Sequence, residues 1–328
     1  MRETSLLGLM KEGPAARFPR IGGLVPAGDG AVHYLTDGPA ERSDDQRPAV
    51  GTSAATGAET RHEATVEPVV LLHGASGNLR DFAVSLMPAL ARTHRAVALD
   101  RPGFGHSAPV PGGHRLDMQI LVLRRALRRL GHYRFHLVGH SYAGAVILAW
   151  ALKYPDEVAS LTLIGGASMD WGGTLEPFYR IGAAPGVGHL VSRLAGFVPE
   201  RKISATLKGI FAPAPVPPHY REQAGIELAL RARTFRLNAR SIATLHREIL
   251  ARQPHYGRIA CPVTIIHGMA DKVVPARTHA VPLAATVRQA RLKLIEEAGH
   301  MPHHSHVEEV TGEIAATVAR AGLSAPRN

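Results

Sequence analysis

Short runs of uninterrupted apolar residues recur along the chain, each followed by a stretch in which apolar positions return every three or four residues. The runs are Pro68-Val69-Val70-Leu71-Leu72, Arg95-Ala96-Val97-Ala98-Leu99, Phe135-His136-Leu137-Val138, Leu161-Thr162-Leu163-Ile164, Val263 to His267 and Leu292 to Glu296. Short apolar runs without polar alternation are what strands covered on both faces look like, and the intervening helices supply the cover. The pattern therefore predicts an α/β fold with a mostly parallel sheet. Upstream, Ala31-Val32-His33-Tyr34-Leu35 reads as one strand of a hairpin, ended by Asp37-Gly38-Pro39. Helices are predicted from a cap at Asn78 to about Arg92, along the Arg/Leu-rich stretch before Leu130, from Ala143 to Tyr154 where Pro155 closes it, and from about Val307 to Ala321.

The alternation fails in two places. Residues 40–67 are small, polar and aperiodic, which predicts a flexible surface loop. Residues 167–259 hold several helical patterns and a Pro-rich break at Pro213 to Pro218 but no core strand, which predicts a helical cap inserted into a core of residues 20–166 and 260–322. Leu190, Leu194, Phe197, Leu207, Ile210 and Phe211 recur in the insertion at helix-like spacing. Such a stripe either lines an apolar acyl or alcohol pocket or holds the cap to the core. The chain shows no internal repeat and no dinucleotide fingerprint.

Composition narrows this picture. With 328 residues, 45% of them hydrophobic, and a mean hydropathy of -0.03, the chain suits a globular protein with a large core. No apolar stretch approaches the roughly 18 residues that would span a bilayer. The first 20 residues offer only Leu6-Leu7-Gly8-Leu9-Met10, shorter than a signal-peptide core, so a cytoplasmic location is expected. The single cysteine, Cys261, excludes an internal disulfide and opens an apolar run, which marks it as a packing residue. A net charge of +11 raises the question of nucleic acid. The arginines are scattered, however, and the densest group, Arg124, Arg125, Arg128 and Arg129, falls on the polar face of a helix whose other face is Ile120, Leu123, Ala126 and Leu127. No recognition motif accompanies it, and no nucleic-acid partner is expected.

Candidate chemistry sits at the ends of the predicted strands. Gly139-His140-Ser141-Tyr142-Ala143-Gly144 lies between a strand and a helix, where small residues flanking a serine permit the tight turn that exposes its hydroxyl beside a helix N-terminus. Ala143 replaces the second glycine of the G-x-S-x-G pattern. A serine hydroxyl is a weak nucleophile until a base takes its proton, and His300, after the last strand, is positioned to be that base. His303, His304 and His306 crowd behind it, but a short exposed segment without Cys or Asp partners argues against a metal site. Asp271, in Gly268-Met269-Ala270-Asp271, is the candidate acid to orient the imidazole, with Asp170 as the alternative. The oxyanion donors are expected to be the backbone N–H of Tyr142 and, in the loop His73-Gly74-Ala75-Ser76-Gly77, that of Ala75.

Taken in order, the His73 loop, Asp100-Arg101-Pro102-Gly103-Phe104-Gly105-His106-Ser107, the Ser141 turn, Gly268-x-x-Asp271 and Gly299-His300 resemble the α/β-hydrolase superfamily over roughly residues 20 to 322. The resemblance implies an α/β-hydrolase fold with an eight-stranded, mostly parallel sheet. It also implies that Asp100 shapes the pocket wall and does not attack substrate. Serine at position 141 is unlike the haloalkane dehalogenases and epoxide hydrolases, which use aspartate there. The resemblance thus implies a carboxylesterase-like enzyme that cleaves a small, apolar ester through an acyl-enzyme on Ser141. It needs no organic cofactor, no metal and no stable membrane anchor, and a homodimer is left open. Other serine-triad reactions stay open: carbon–carbon bond hydrolysis, amide or aminopeptide cleavage, lactone hydrolysis and cofactor-free perhydrolysis. So does a ligand-binding receptor with little turnover.

Overall fold

The computed structural model describes residues 17–39, 67–173, 177–184, 186, 188, 192–193 and 198–324. An eight-stranded sheet is built from β1 (Gly23–Pro26), β2 (Ala31–Asp37), β3 (Val69–Leu72), β4 (Ala96–Leu99), β5 (Phe135–His140), β6 (Val158–Ile164), β7 (Val263–Gly268) and β8 (Ala290–Ile295). Their order across the sheet is β1-β2-β4-β3-β5-β6-β7-β8. β1 and β2 form the hairpin, β2 pairs antiparallel with β4, and every later pairing is parallel.

Alternate residues of the central strands feed two separate cores. Val70, Leu72, Val97, Leu99, Leu137 and Leu163 face the layer of α3 (Leu116–Arg129) and α4 (Ala143–Lys153). Val69, Leu71, Ala96, Ala98, Val138 and Ile164 face α2 (Leu86–Leu90) and α11 (Val307–Ser324). Full burial of each such side chain contributes roughly 1.5–3 kcal/mol, which is why these strands carry no polar alternation.

The helix expected from Asn78 to Arg92 is two helices, α1 (Arg80–Ala83) and α2, with a break at Val84 and Ser85. Pro88 accounts for the break. It has no N–H for the Val84 carbonyl and its ring would collide with that turn, whereas the first turn of a new helix accommodates it. Asn78 still acts at the start, its Oδ1 accepting from Arg80 N at 3.0 Å.

Of the predicted surface loop 40–67, residues 40–66 lie outside the described residues. Between β6 and β7 the described residues contain helices and no strand: α5 (Pro177–Ala183), α6 (Glu200–Phe211), α7 (Tyr220–Ala224) and the 19-residue α8 (Ala232–Leu250). Leu190, Leu194 and Phe197 also lie outside the described residues. Leu207 and Phe211 are buried against Ile203, Tyr220, Ala224 and Met301, so this part of the stripe holds the insertion to the core. Two further helices are α9 (Ala280–Thr286) and α10 (Pro302–Ser305). Among the described residues no helix is long and apolar enough to cross a membrane.

Register positions the chemistry. Leu72 lies opposite Gly139, His140 opposite Ile164, Ile164 opposite Ile266, and Gly268 opposite Ile295. The loops that follow these strand ends therefore emerge side by side along one edge of the sheet, as expected for a parallel α/β sheet.

Candidate active site

Ser141 has φ of 53°, a left-handed conformation that a non-glycine residue holds only when its surroundings enforce it. The enforcement is visible. Ser141 N donates to Ile164 O at 3.0 Å, and Ser141 O accepts from Gly144 N at 2.9 Å and Ala167 N at 3.0 Å. A methyl group at Gly139 would lie 2.7 Å from Ala143 O, and one at Gly144 would lie 2.8 Å from Gly166 Cα. Glycine is thus required at 139 and 144, whereas the methyl of Ala143 is packed in the core.

The hydroxyl of Ser141 lies 3.0 Å from His300 Nε2, and His300 Nδ1 lies 2.8 Å from Asp271 Oδ2. The other oxygen of Asp271 accepts from Val273 N at 2.8 Å and Val274 N at 2.9 Å, which fixes the carboxylate. Burial alone would raise the Asp271 pKa, but hydrogen bonds from His267 and His300 outweigh it and hold the carboxyl well below its ordinary range. An ionised Asp271 therefore keeps the His300 proton on Nδ1 and leaves Nε2 free to accept from serine.

Asp170, the alternative acid, is not brought to His300. Its Oδ1 accepts from His246 Nε2 at 2.7 Å and from Gly172 N at 2.8 Å, and its side chain is 48% exposed. The loop after β6 turns away toward α8 and takes Asp170 with it.

The reading of His303 and His304 as exposed and without an acidic partner is corrected. His303 is fully buried, and both rings share Asp81: His303 Nε2 lies 3.0 Å from Oδ2 and His304 Nε2 2.8 Å from Oδ1. Tyr220 of α7 donates its hydroxyl to the same carboxylate at 2.7 Å. Burial favours a neutral Asp81, but the two imidazoles more than offset it and hold the acid well below its usual range. Asp81, His140 and His303 each bring one atom able to bind a metal to within 4.8 Å of the others. Asp81 and His303 Nε2 are bonded to each other and His140 Nε2 lies 3.0 Å from His300 O, whereas His303 Nδ1 has no partner.

The loop expected to supply the second oxyanion donor lies against Ser141, since a methyl at Gly74 would be 3.0 Å from Ser141 Cβ. His73 Nε2 accepts from Arg101 N at 3.0 Å, so its proton sits on Nδ1 and is donated to Gly74 O at 2.9 Å. Burial lowers the His73 pKa to about 3, which keeps the ring neutral in this double role. Asn238 of α8 clasps the same loop, accepting from Ser76 N at 3.0 Å and donating to Ser76 Oγ at 2.9 Å. Asp100 is buried and its carboxylate is bonded to His33, Leu79 N and His106 N.

Asp81, Arg101, His140 and Asn238 are the neighbours of the site that the sequence pattern did not single out for a role. Arg101 and His140 stand inside the segments 100–107 and 139–144. Asp81 and Asn238 are joined to the site only by long-range contacts. A cavity lined by Arg134, Pro155, Cys261 and Pro262 opens at the opposite, N-terminal ends of β5, β6 and β7, away from Ser141. Burial pushes the Cys261 thiol up to about 11, as suits a packing residue.

The profile of the α/β-hydrolase fold family matches residues 67–307, a span that includes Ser141, Asp271, His300 and the insertion. The chain belongs to that family. As an α/β-fold hydrolase it is similar to the 2-hydroxy-6-oxononadienedioate/2-hydroxy-6-oxononatrienedioate hydrolase of Paraburkholderia xenovorans, 27% identical over 93% of this chain and 96% of that one. It is likewise similar to the 2-hydroxymuconate semialdehyde hydrolase of a Pseudomonas species, 26% identical over 78% of this chain and 89% of its relative. Among solved structures, an esterase from Thermogutta terrifontis superposes with a TM-score of 0.65 at 20% identity, over 89% of this chain and 94% of its own. A haloalkane dehalogenase from Bradyrhizobium elkani gives 0.68 at 18%, over 92% and 99%. At such identities these two neighbours speak for the fold of the hydrolase and not for its reaction.

Proposed function

We propose that this hydrolase transfers an acyl group through Ser141 to water, and that its substrate is a carboxylate-bearing ketone cleaved at a carbon–carbon bond beside the carbonyl. The single observation that carries the acyl-transfer reading is the hydrogen-bonded chain from Asp271 through His300 to Ser141. In the first half-reaction Ser141 Oγ adds to the carbonyl carbon while its proton passes to His300 Nε2. The negative charge then forms on the carbonyl oxygen, where the N–H groups of Ala75 and Tyr142 receive it. Collapse breaks the bond to the leaving carbon, which takes the proton from His300. Water, deprotonated by His300, then releases the acyl group and restores Ser141.

The substrate class is supported by the relatives, whose names describe hydroxy-oxo dienoates and a hydroxymuconate semialdehyde. Carbon is a poor leaving group unless its electron pair is delocalised, and a hydroxy-oxo dienoate supplies that delocalisation once its hydroxyl proton has moved to the carbon beside the ketone, so that the released pair is conjugated to the new 2-oxo group. A net charge of +11 also favours an anionic substrate over an apolar one. Hydrolysis of a carboxylic ester is the second reading, because the same three side chains serve an alkoxide leaving group equally well. We further propose that the helical insertion over residues 167–259 forms the roof of the pocket, with Asn238 linking it to the Ala75 loop.

The test is a substrate panel run with wild type and Ser141→Ala: hydroxy-oxo dienoates followed by loss of their absorbance, and p-nitrophenyl esters of increasing length. Faster turnover of the dienoates, abolished in the variant, is expected. Turnover of esters alone would replace this substrate class with the second reading, and turnover surviving in Ser141→Ala would end the serine mechanism.

A further inference from the structure

Arg101 is fully buried, and among the described residues no carboxylate lies within ion-pair distance of its guanidinium. It is held instead between two rings, its Cζ 4.2 Å from the Phe104 centroid and 4.4 Å from that of Tyr142. Nη1 donates to Gln119 Oε1 at 3.2 Å, Nη2 donates to Gly74 O at 2.7 Å, and Nε has no partner. Burial lowers its pKa to about 10, so the group is a cation at neutral pH. Burying a cation without a counter-charge is costly, and a packing role alone would be served by an apolar residue.

The bond to Gly74 O shows what the charge can do. That oxygen belongs to the same peptide unit as the Ala75 N–H, and it accepts from Arg101 at 2.7 Å, from His73 Nδ1 at 2.9 Å and from Gly77 N at 3.4 Å. Donors on a carbonyl oxygen draw electron density through the conjugated C–N bond, leaving the N–H at the other end more positive and a stronger donor. The ring over which the guanidinium stacks belongs to Tyr142, the residue whose own N–H is the second donor of the proposed oxyanion hole.

We propose that Arg101 is a positioning residue for the oxyanion hole, one that polarises the Gly74–Ala75 peptide so that Ala75 N–H binds the developing oxyanion more tightly than the ground-state carbonyl. The inference rests on the acyl-transfer reading above and adds to it a residue that never touches substrate. Losing one oxyanion donor costs about a hundredfold or more, and a cooperating bond strengthens its neighbour by roughly 10–30%, somewhat more for a cation. Removal of the Arg101 charge is therefore expected to lower kcat about two- to fivefold, with KM little changed.

The experiment compares wild type, Arg101→Lys and Arg101→Met, each assayed well below its own melting midpoint. It measures kcat and KM on p-nitrophenyl acetate and the inhibition constant of a trifluoromethyl ketone, whose adduct on Ser141 carries an oxyanion. Arg101→Met is expected to lose the same factor in kcat and in ketone affinity. Arg101→Lys, whose ammonium can still reach Gly74 O, should fall between it and wild type. Unchanged ketone affinity, or a loss confined to KM or to melting temperature, would reduce Arg101 to a packing residue. If Arg101→Met does not fold, Arg101→Lys carries the comparison, together with the proton shift of the Ala75 amide, which should move upfield from wild type and would contradict the proposal by staying put. Failure of wild type to be labelled at Ser141 by a fluorophosphonate would instead overturn the acyl-transfer reading, and this inference with it.

Discussion

Two buried aspartate–histidine pairs lie side by side in this hydrolase, and they end differently. Asp271 holds His300, whose second nitrogen meets the hydroxyl of Ser141. Asp81 holds His303, whose second nitrogen is buried and has no partner, while its remaining contacts run to His304 and to Tyr220 of the insertion. The ring of His140 sits between them, its centroid 4.9 Å from that of His300 and 4.4 Å from that of His303. An acid–imidazole pair is thus not a catalytic site in itself. What separates the two is a serine hydroxyl, delivered to one imidazole by a turn whose serine has φ of 53°. The Asp81 pair has the character of a clamp, joining the helix after the Ala75 loop, the segment after His300 and the insertion.

This contrast is open to direct attack. Ser141→Ala should lower kcat by about a millionfold, and His300→Ala by a similar factor without adding to it, because the two act as one unit. Asp271→Asn should cost about ten-thousandfold by losing the correct His300 tautomer, measurable in the same steady-state assay. Asp81→Asn should leave kcat within about tenfold while costing about 3 kcal/mol of stability in denaturant titrations, since it strips a buried carboxylate from three donors. A thousandfold loss of kcat in that variant would erase the distinction between the pairs.

Acid should also act on stability through buried imidazoles. Burial lowers His73 to about 3 and His136 and His279 to about 4, against 6.5 for the free group. The unfolded chain therefore binds more protons between those values. The stability they protect is complete above pH 6.5 and drains as pH falls toward about 4, by about 1–2 kcal/mol per ring at pH 5. Melting temperatures from pH 8 to 5 check the sign. The smallest effect belongs to Asp170→Asn, on an exposed pair with His246, where kcat should change less than twofold.

The two pairs also mark what a sequence can disclose. The strands and the Ser141 turn were legible because doubly covered strands must be continuously apolar and because small residues must flank a turn this tight. Asp271 and His300 were legible as residues just past strand ends. The break at Val84 has its mark in the sequence as well, in Pro88, which the expectation of one helix from Asn78 to about Arg92 left out of account. Asp81 and His303 were not legible, since 222 residues separate them and only the packing of α1 against α10 brings them together. Asn238 reached the Ala75 loop in the same way, across 162 residues. A buried cation such as Arg101 has no periodic signature at all.

The account stands most directly on which imidazole activates which nucleophile, and a fluorophosphonate reaction followed by intact and peptide mass spectrometry measures that. One adduct per chain on Ser141 is expected, formed at the wild-type rate in His303→Asn and undetectably slowly in His300→Ala. Labelling of another residue, or equal labelling of Ser141 when His300 is removed, would contradict it.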